Sequence, residues 1–152
     1  MAEPAVRPVQ AQELDELLPL IAGYQKFYGA EPDVERNRRF FSRFVHPSDD
    51  GLLLGAWVEG RPAGFATLYW FFSSTKAAET VLMNDLFVRE EVRGAGIGRA
   101  LINAALDAAR RRGAAHLEWY TAPDNLTAQR LYDSMPGAKN STWRAYEIDV
   151  ED

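Results

Sequence analysis

The 152-residue sequence predicts an α/β (α+β) fold, with one central sheet, flanking helices and one parallel βαβ unit. Three features predict it. Two stretches with apolar residues at helical spacing fill the first third of the chain. Two strand-like runs, residues 52–58 and 63–72, then flank the turn Glu59-Gly-Arg-Pro62 and form an antiparallel hairpin. Finally, an apolar run at 79–88 leads through Gly94, Gly96 and Gly98 into an alanine-rich amphipathic segment and a further strand. That is a βαβ unit, right-handed by default.

Residues 6–9 read as a short first strand. A helix follows over 13–28, with Leu14, Leu17, Leu18, Ile21 and Tyr24 or Gln25 on one face; Pro19 predicts a break or kink within it. Glu31-Pro-Asp33 is a start signal for a second helix reaching about Val45. Its apolar face is Phe40, Phe41, Phe44 and Val45, and Arg36, Arg38 and Arg39 read as solvated. Residues 47–51 are a loop. The strand that includes Phe65 and Trp70-Phe71-Phe72 is apolar on both faces, so it belongs in the middle of the sheet. Residues 73–78 make the next turn.

In the crossover helix, 96–112, Ile97, Leu101, Ile102, Ala105, Leu106 and Ala109 recur with the 3.6-residue period, and Gly113 is its stop. Residues 114–121 alternate Leu117, Trp119 and Thr121 against His116, Glu118 and Tyr120, as a strand does. Pro123-Asp-Asn125 caps a short helix to about Met135, Pro136-Gly137 ends it, and residues 143–150 are expected as a last strand.

Length and composition fit a single domain over 1–152, with 47% hydrophobic residues. The opening Met1-Ala-Glu-Pro is not a basic-then-apolar leader and no run approaches a membrane span, so a cytoplasmic location and no membrane partner are expected. The absence of cysteine excludes disulfides and a cysteine acyl-enzyme. His46 and His116 have no companions at metal spacing, so no metal is expected. A net charge of -5 argues against nucleic acid. Locally the balance reverses: six arginines between Arg89 and Arg112 face only Glu90, Glu91 and Asp107, which suits a polyanionic ligand. Arg110-Arg-Arg112 read more simply as complements to a helix C-terminus.

The glycine cluster locates that ligand. The first N–H groups of a helix have no partners within it and carry its positive dipole end, which favours a phosphate ester. Gly94, Gly96 and Gly98 remove side chains that would hold an anion away, and Arg93 and Arg99 flank them. On these residues alone, an ordinary glycine-rich turn is an equal reading. A Walker loop is excluded because Gly98 is followed by Arg99-Ala100. A dinucleotide fingerprint is excluded because Arg99 stands where its third glycine belongs, and because the motif lies late in the chain.

Arg93-Gly-Ala-Gly96-Ile-Gly98 resembles the acetyl-CoA loop, Gln/Arg-x-x-Gly-x-Gly/Ala, of the GNAT superfamily of N-acetyltransferases. Asn125-Leu-Thr-Ala128-Gln-Arg-Leu131-Tyr132 is similar to that family's Asn-x-x-Ala-x-x-Phe/Leu-Tyr element. The resemblance spans about residues 63–150. Gly64-Phe65, Asp85-Leu-Phe-Val88, Glu118-Trp119 and Trp143-Arg144 bring it nearest to the spermidine/spermine (diamine) N-acetyltransferases. It implies a mixed, mostly antiparallel GNAT-like sheet and a βαβ unit that binds acetyl-CoA. The implied activity is direct acetyl transfer to a primary amine of a small acceptor in a ternary complex. The diamine-type relatives also imply a homodimer. A peptide N-α-acetyltransferase and a non-catalytic acetyl-CoA-binding module are the rival readings.

The same resemblance assigns roles. The backbones of Leu86, Phe87 and Val88 would pair with pantetheine at an open strand edge. Arg93, Gly94, Ala95, Gly96, Ile97, Gly98 and Arg99 would hold the pyrophosphate, and Asn125 would touch the pantetheine arm while capping its helix. Tyr132 would protonate the departing thiolate, a phenol of pKa about 10 against a thiol near 8.5; its place on an apolar i, i+3, i+4, i+7 face gives core as the alternative reading. Asn84 and Asp85 are adjacent polar residues in an apolar strand. Asp85 either takes the amine proton, directly or through water, or hydrogen-bonds a neighbouring loop. Asn84 replaces the glutamate that the diamine-type enzymes carry, which predicts weak activity on long polyamines. Tyr28, Glu31, Asn84, Glu118 and Trp119 are expected to receive the acceptor. With Asp33, Asp85 and Asp124, the two glutamates would give an acidic cleft for a cationic amine.

Overall fold

The computed structural model describes residues 2–150, in two compact units, Met1–Tyr120 and Thr121–Asp152. The first unit contains a five-stranded sheet in the order β1 (Ala5–Pro8), β2 (Gly51–Val58), β3 (Arg61–Ser73), β4 (Ala78–Val88) and β5 (Leu117–Glu118). The first three pairings are antiparallel and β4–β5 is parallel. The mixed, mostly antiparallel expectation holds, and β3 is central. Its far end is not buried on both faces, because Phe71 and Phe72 run past the packed layers and are exposed.

Helix α1 (Leu14–Phe27) continues through Pro19, so of the expected break or kink the break does not occur. Proline inside a helix costs about 3 kcal/mol. Leu14, Leu17, Leu18, Leu20 and Ile21 are buried on α1, each contributing about 1.5–3 kcal/mol, so packing outweighs the proline. Pro19 and Asp15, whose carbonyl loses its partner, are both exposed, which leaves that carbonyl accessible to solvent. Helix α2 (Val34–Ser42) starts at the Asp33 cap, whose side chain accepts from Arg36 N at 2.9 Å, and ends three residues before Val45. Three turn hydrogen bonds carry the chain on, and Phe44 is buried as expected.

Helix α3 (Ile97–Arg112) buries Ile97, Leu101, Ile102, Ala105, Ala108 and Ala109 and stops at Gly113. Leu106 of the predicted face is only half-buried. The strand expected over 114–121 shrinks to the two residues of β5, paired with Val81 and Leu82. In the second unit, Asn125 caps α4 (Leu126–Ser134), accepting from Ala128 N at 3.2 Å. The last strand expected over 143–150 is absent; Trp143, Tyr146, Ile148 and Val150 are each more than 90% exposed. A strand forms only on a ladder, and among the described residues this unit contains no other strand.

Candidate active site

The register of β4 against β3 builds the site. Thr67 pairs with Asp85 and Leu68 with Met83, so Asn84 is an extra, bulged residue. Neighbouring residues of a regular strand point to opposite faces. The bulge brings the side chains of Asn84 and Asp85 to the same cavity, where Asn84 Nδ2 donates to Asp85 Oδ1 at 3.0 Å.

That cavity, about 310 Å³, lies between α1, α2, β3 and β4. Asp85 is buried in its wall, with the phenols of Tyr24 and Tyr69 beside it and Asn37, Phe40 and Phe41 opposite. Burial pushes the Asp85 carboxyl above the usual carboxylate range, opposed by hydrogen-bonding groups of Tyr24, Thr67 and Asn84. Among the described residues only Asn84 makes a bond of normal geometry to it, and Thr67 Oγ1 is buried without a partner. The raised value suits a proton acceptor working nearer neutrality. Burial and the Asp85 charge push Tyr69 up to about 12 and Tyr24 higher still, so both remain neutral donors. Asp85 bonds to no loop, which removes that alternative among the described residues.

The outer edge of β4 is open next to this cavity. β5 pairs only at Val81 and Leu82, so among the described residues no strand pairs with β4 beyond Met83 on that side. Arg89 N donates to Ala63 O on β3; by alternation, Phe87 also faces β3, while the N–H and C=O groups of Leu86 and Val88 face the open edge. Arg93 Nε donates to Val88 O at 2.8 Å, and its guanidinium lies 5.4 Å from the Phe87 ring centroid.

The glycine loop continues from there. Gly94 and Gly96 both have φ of 84°, and a Cβ on either would meet nothing within 4 Å. Gly96 is the left-handed N-cap of α3 and has no side chain to cap it, so among the described residues the N–H groups of Ile97 and Gly98 are available to an external anion. Positive φ, open space and uncapped donors together fit a pyrophosphate resting on Arg93, Gly94, Ala95, Gly96, Ile97, Gly98 and Arg99. Among the described residues no group of three His, Asp or Glu could hold a metal ion, and no helix is long and apolar enough to cross a membrane.

Of the expected acceptor residues, the structure brings Asn84 and Asp85 together. Tyr28, Glu31, Glu118 and Trp119 do not line the cavity. Glu118 accepts from Tyr120 Oη at 2.9 Å and lies 3.2 Å from His116 Nε2. Asp33 is committed to capping α2. Tyr69, Asn37 and Arg36 line the cavity without having been singled out for it. Asn37 carried a readable signal, a polar residue four positions before Phe41 on the face that α2 buries. Tyr132 is half-buried on α4.

Residues 15–135 match the acetyltransferase (GNAT) family model. An uncharacterized N-acetyltransferase of Bacillus subtilis (strain 168) is 30% identical over 84% of this chain and 85% of its own length. A thialysine N-epsilon-acetyltransferase of Caenorhabditis elegans is 26% identical over 95% of this chain and 89% of its own. The crystal structure of a probable acetyltransferase superposes with a TM-score of 0.85, at 27% identity, over 97% of this chain and 99% of that one. With its open β4 edge, glycine loop and buried Asp85, the chain belongs to the GNAT family and is an N-acetyltransferase.

Proposed function

We propose that this chain transfers acetyl from acetyl-CoA directly to the primary amine of a small acceptor, in a ternary complex in the cytoplasm. One observation carries the reading: Asp85, the buried carboxylate of the cavity, is followed at once by Leu86, whose backbone faces the open edge. A donor lying along Leu86–Val88 and an acceptor in the cavity would therefore meet at one point on β4. Bound there, acetyl-CoA would supply an activated acetyl thioester. The relative named for thialysine supports a small amine as acceptor. The diamine-type subgroup is the part of the resemblance this proposal sets aside, since Asn84 leaves the site one carboxylate short.

An alkylammonium near pKa 10.4 is neutral in only roughly one molecule in a thousand at pH 7. Asp85 removes its proton, directly or through one water, freeing the nitrogen lone pair to form the C–N bond. A backbone N–H of the free β4 edge steadies the charge that develops on the carbonyl oxygen. Tyr132 gives its proton to the sulfur as the C–S bond breaks, and Asn125 holds the pantetheine arm; both roles rest on the family motif. A CoA-release assay over small amines and N-terminal peptides tests the proposal. Turnover with small amines is expected. Turnover with peptides alone, or with nothing, overturns it.

A further inference from the structure

The acceptor cavity holds two opposite charges. Asp85 is buried in the sheet wall, and Arg36 lies on the exposed side of α2 and lines the same space. As a residue expected to be merely solvated, Arg36 is unusually placed. Arg38 is bound by Asp15 and Glu35, and Arg43 by Asp50. Among the described residues no carboxylate lies within ion-pair distance of Arg36; its Nη2 donates to a backbone carbonyl, that of Glu31, at 2.8 Å. Asp33, nearby, spends Oδ1 on the backbone N–H of Arg36. The guanidinium keeps its charge and most of its donors for something else.

The backbone that carries it is anchored. Asn37, the next residue, is 3% exposed and exchanges two amide hydrogen bonds with Gln25 of α1, at 2.8 and 2.9 Å. That pair pins α2 to α1 and holds Arg36 at the mouth. Phe40 and Phe41 add apolar surface to the lining that Arg36 and Asp85 share. A ligand complementary to this lining has an ammonium at one end, a hydrocarbon middle and an anion at the other. A second ammonium at the mouth would meet Arg36 and be repelled.

Resting on the proposed acetyl transfer, we infer that the acceptor is an amine that also carries a carboxylate, an amino acid, and that Arg36 is the residue that selects it. The planar guanidinium fork suits a carboxylate in two-point contact. Phe40 and Phe41 cover the intervening carbons. The reacting nitrogen is either the α-amine of a short amino acid or a side-chain amine of a longer one, and the chemistry at Arg36 is the same.

The test is kcat/KM for matched pairs that differ only in the carboxylate: lysine against 1,5-diaminopentane, and alanine against ethylamine. Wild type should favour the carboxylate-bearing member of at least one pair by roughly ten- to hundredfold, the range for a hydrogen bond between charged groups. Which pair responds, with the acetylated nitrogen identified by mass spectrometry, separates the α-amine from the side-chain amine. In Arg36→Gln the ratio should fall to near one through KM, and in Arg36→Glu it should invert, with acetyl-CoA affinity unchanged in both as the check on folding. Turnover of the simple amines without a carboxylate preference, or a ratio unchanged in Arg36→Gln, overturns this inference and leaves the proposed transfer standing. No turnover with any amine overturns both.

Discussion

Asp85 couples the chemistry to the stability of the fold. Its carboxyl is raised because burial penalises the charged form. Between the unfolded value, about 3.9, and the raised native value, the native state binds more protons than the unfolded chain. Stability therefore falls as pH rises through that window, and the penalty is fully present above it. Asp85→Asn removes the buried charge and retains an oxygen for the Asn84 amide. We expect it to melt at a higher temperature than wild type at pH 7, while kcat falls by roughly 10²–10⁴. Calorimetry and a CoA-release assay on the same preparation check both; an unchanged kcat removes Asp85 as base. The acid limb of kcat/KM should lie above the ordinary carboxylate range and disappear in the variant. Tyr132→Phe keeps the ring and removes the hydroxyl, so turnover should fall by roughly 10²–10⁴ with acetyl-CoA affinity intact. At this scale the sequence was readable where a residue broke a pattern: two polar side chains in an apolar strand marked Asn84 and Asp85. Arg36 broke none, because a charged residue on an amphipathic helix looks solvated until the packing angle of that helix is known.

At the scale of elements, the loop and α3 behave as one device. Gly96 starts the helix in a left-handed conformation and puts no side chain over its first N–H groups. Gly96→Glu would place a carboxylate where the pyrophosphate is proposed to rest, on a backbone conformation that costs a non-glycine residue about 1 kcal/mol or more. Acetyl-CoA binding should be lost in titration calorimetry while the helical circular dichroism is retained; wild-type affinity in this variant would remove the loop from the site. Periodicity located α1, α2 and α3 because each buries a continuous stripe. It failed for β5 and residues 143–150, where an alternating pattern was present without a long enough partner ladder. Strand formation depends on a neighbour that the local sequence does not contain, and the bulge at Asn84 was hidden for the same reason.

The whole molecule carries a net charge of -5, yet its glycine loop is set among arginines. Several of these are already engaged. Arg112 is paired with Glu79 and covers the Trp70 ring, Arg110 is paired with Asp107, and Arg93 holds the Val88 carbonyl. The local positive field is thus partly used to brace the sheet and helix, and a polyanionic donor has to approach a protein whose remaining surface repels it. Acetyl-CoA binding is therefore expected to weaken as salt screens the loop, most steeply below about 0.1 M, where the Debye length still exceeds about 10 Å. Binding to the native state alone stabilises it by about 2.7 kcal/mol at a hundredfold excess over Kd. For a chain of this size that corresponds to a rise in Tm of roughly 5–11 °C. Thermal melts with and without acetyl-CoA, across a salt series, measure both effects together. A large Tm rise that shrinks with salt is the expected result. A rise indifferent to salt would mean that the uncapped α3 N–H groups and the open β4 edge hold the donor with little help from the arginines. No rise at any salt would mean that the donor does not bind the folded chain.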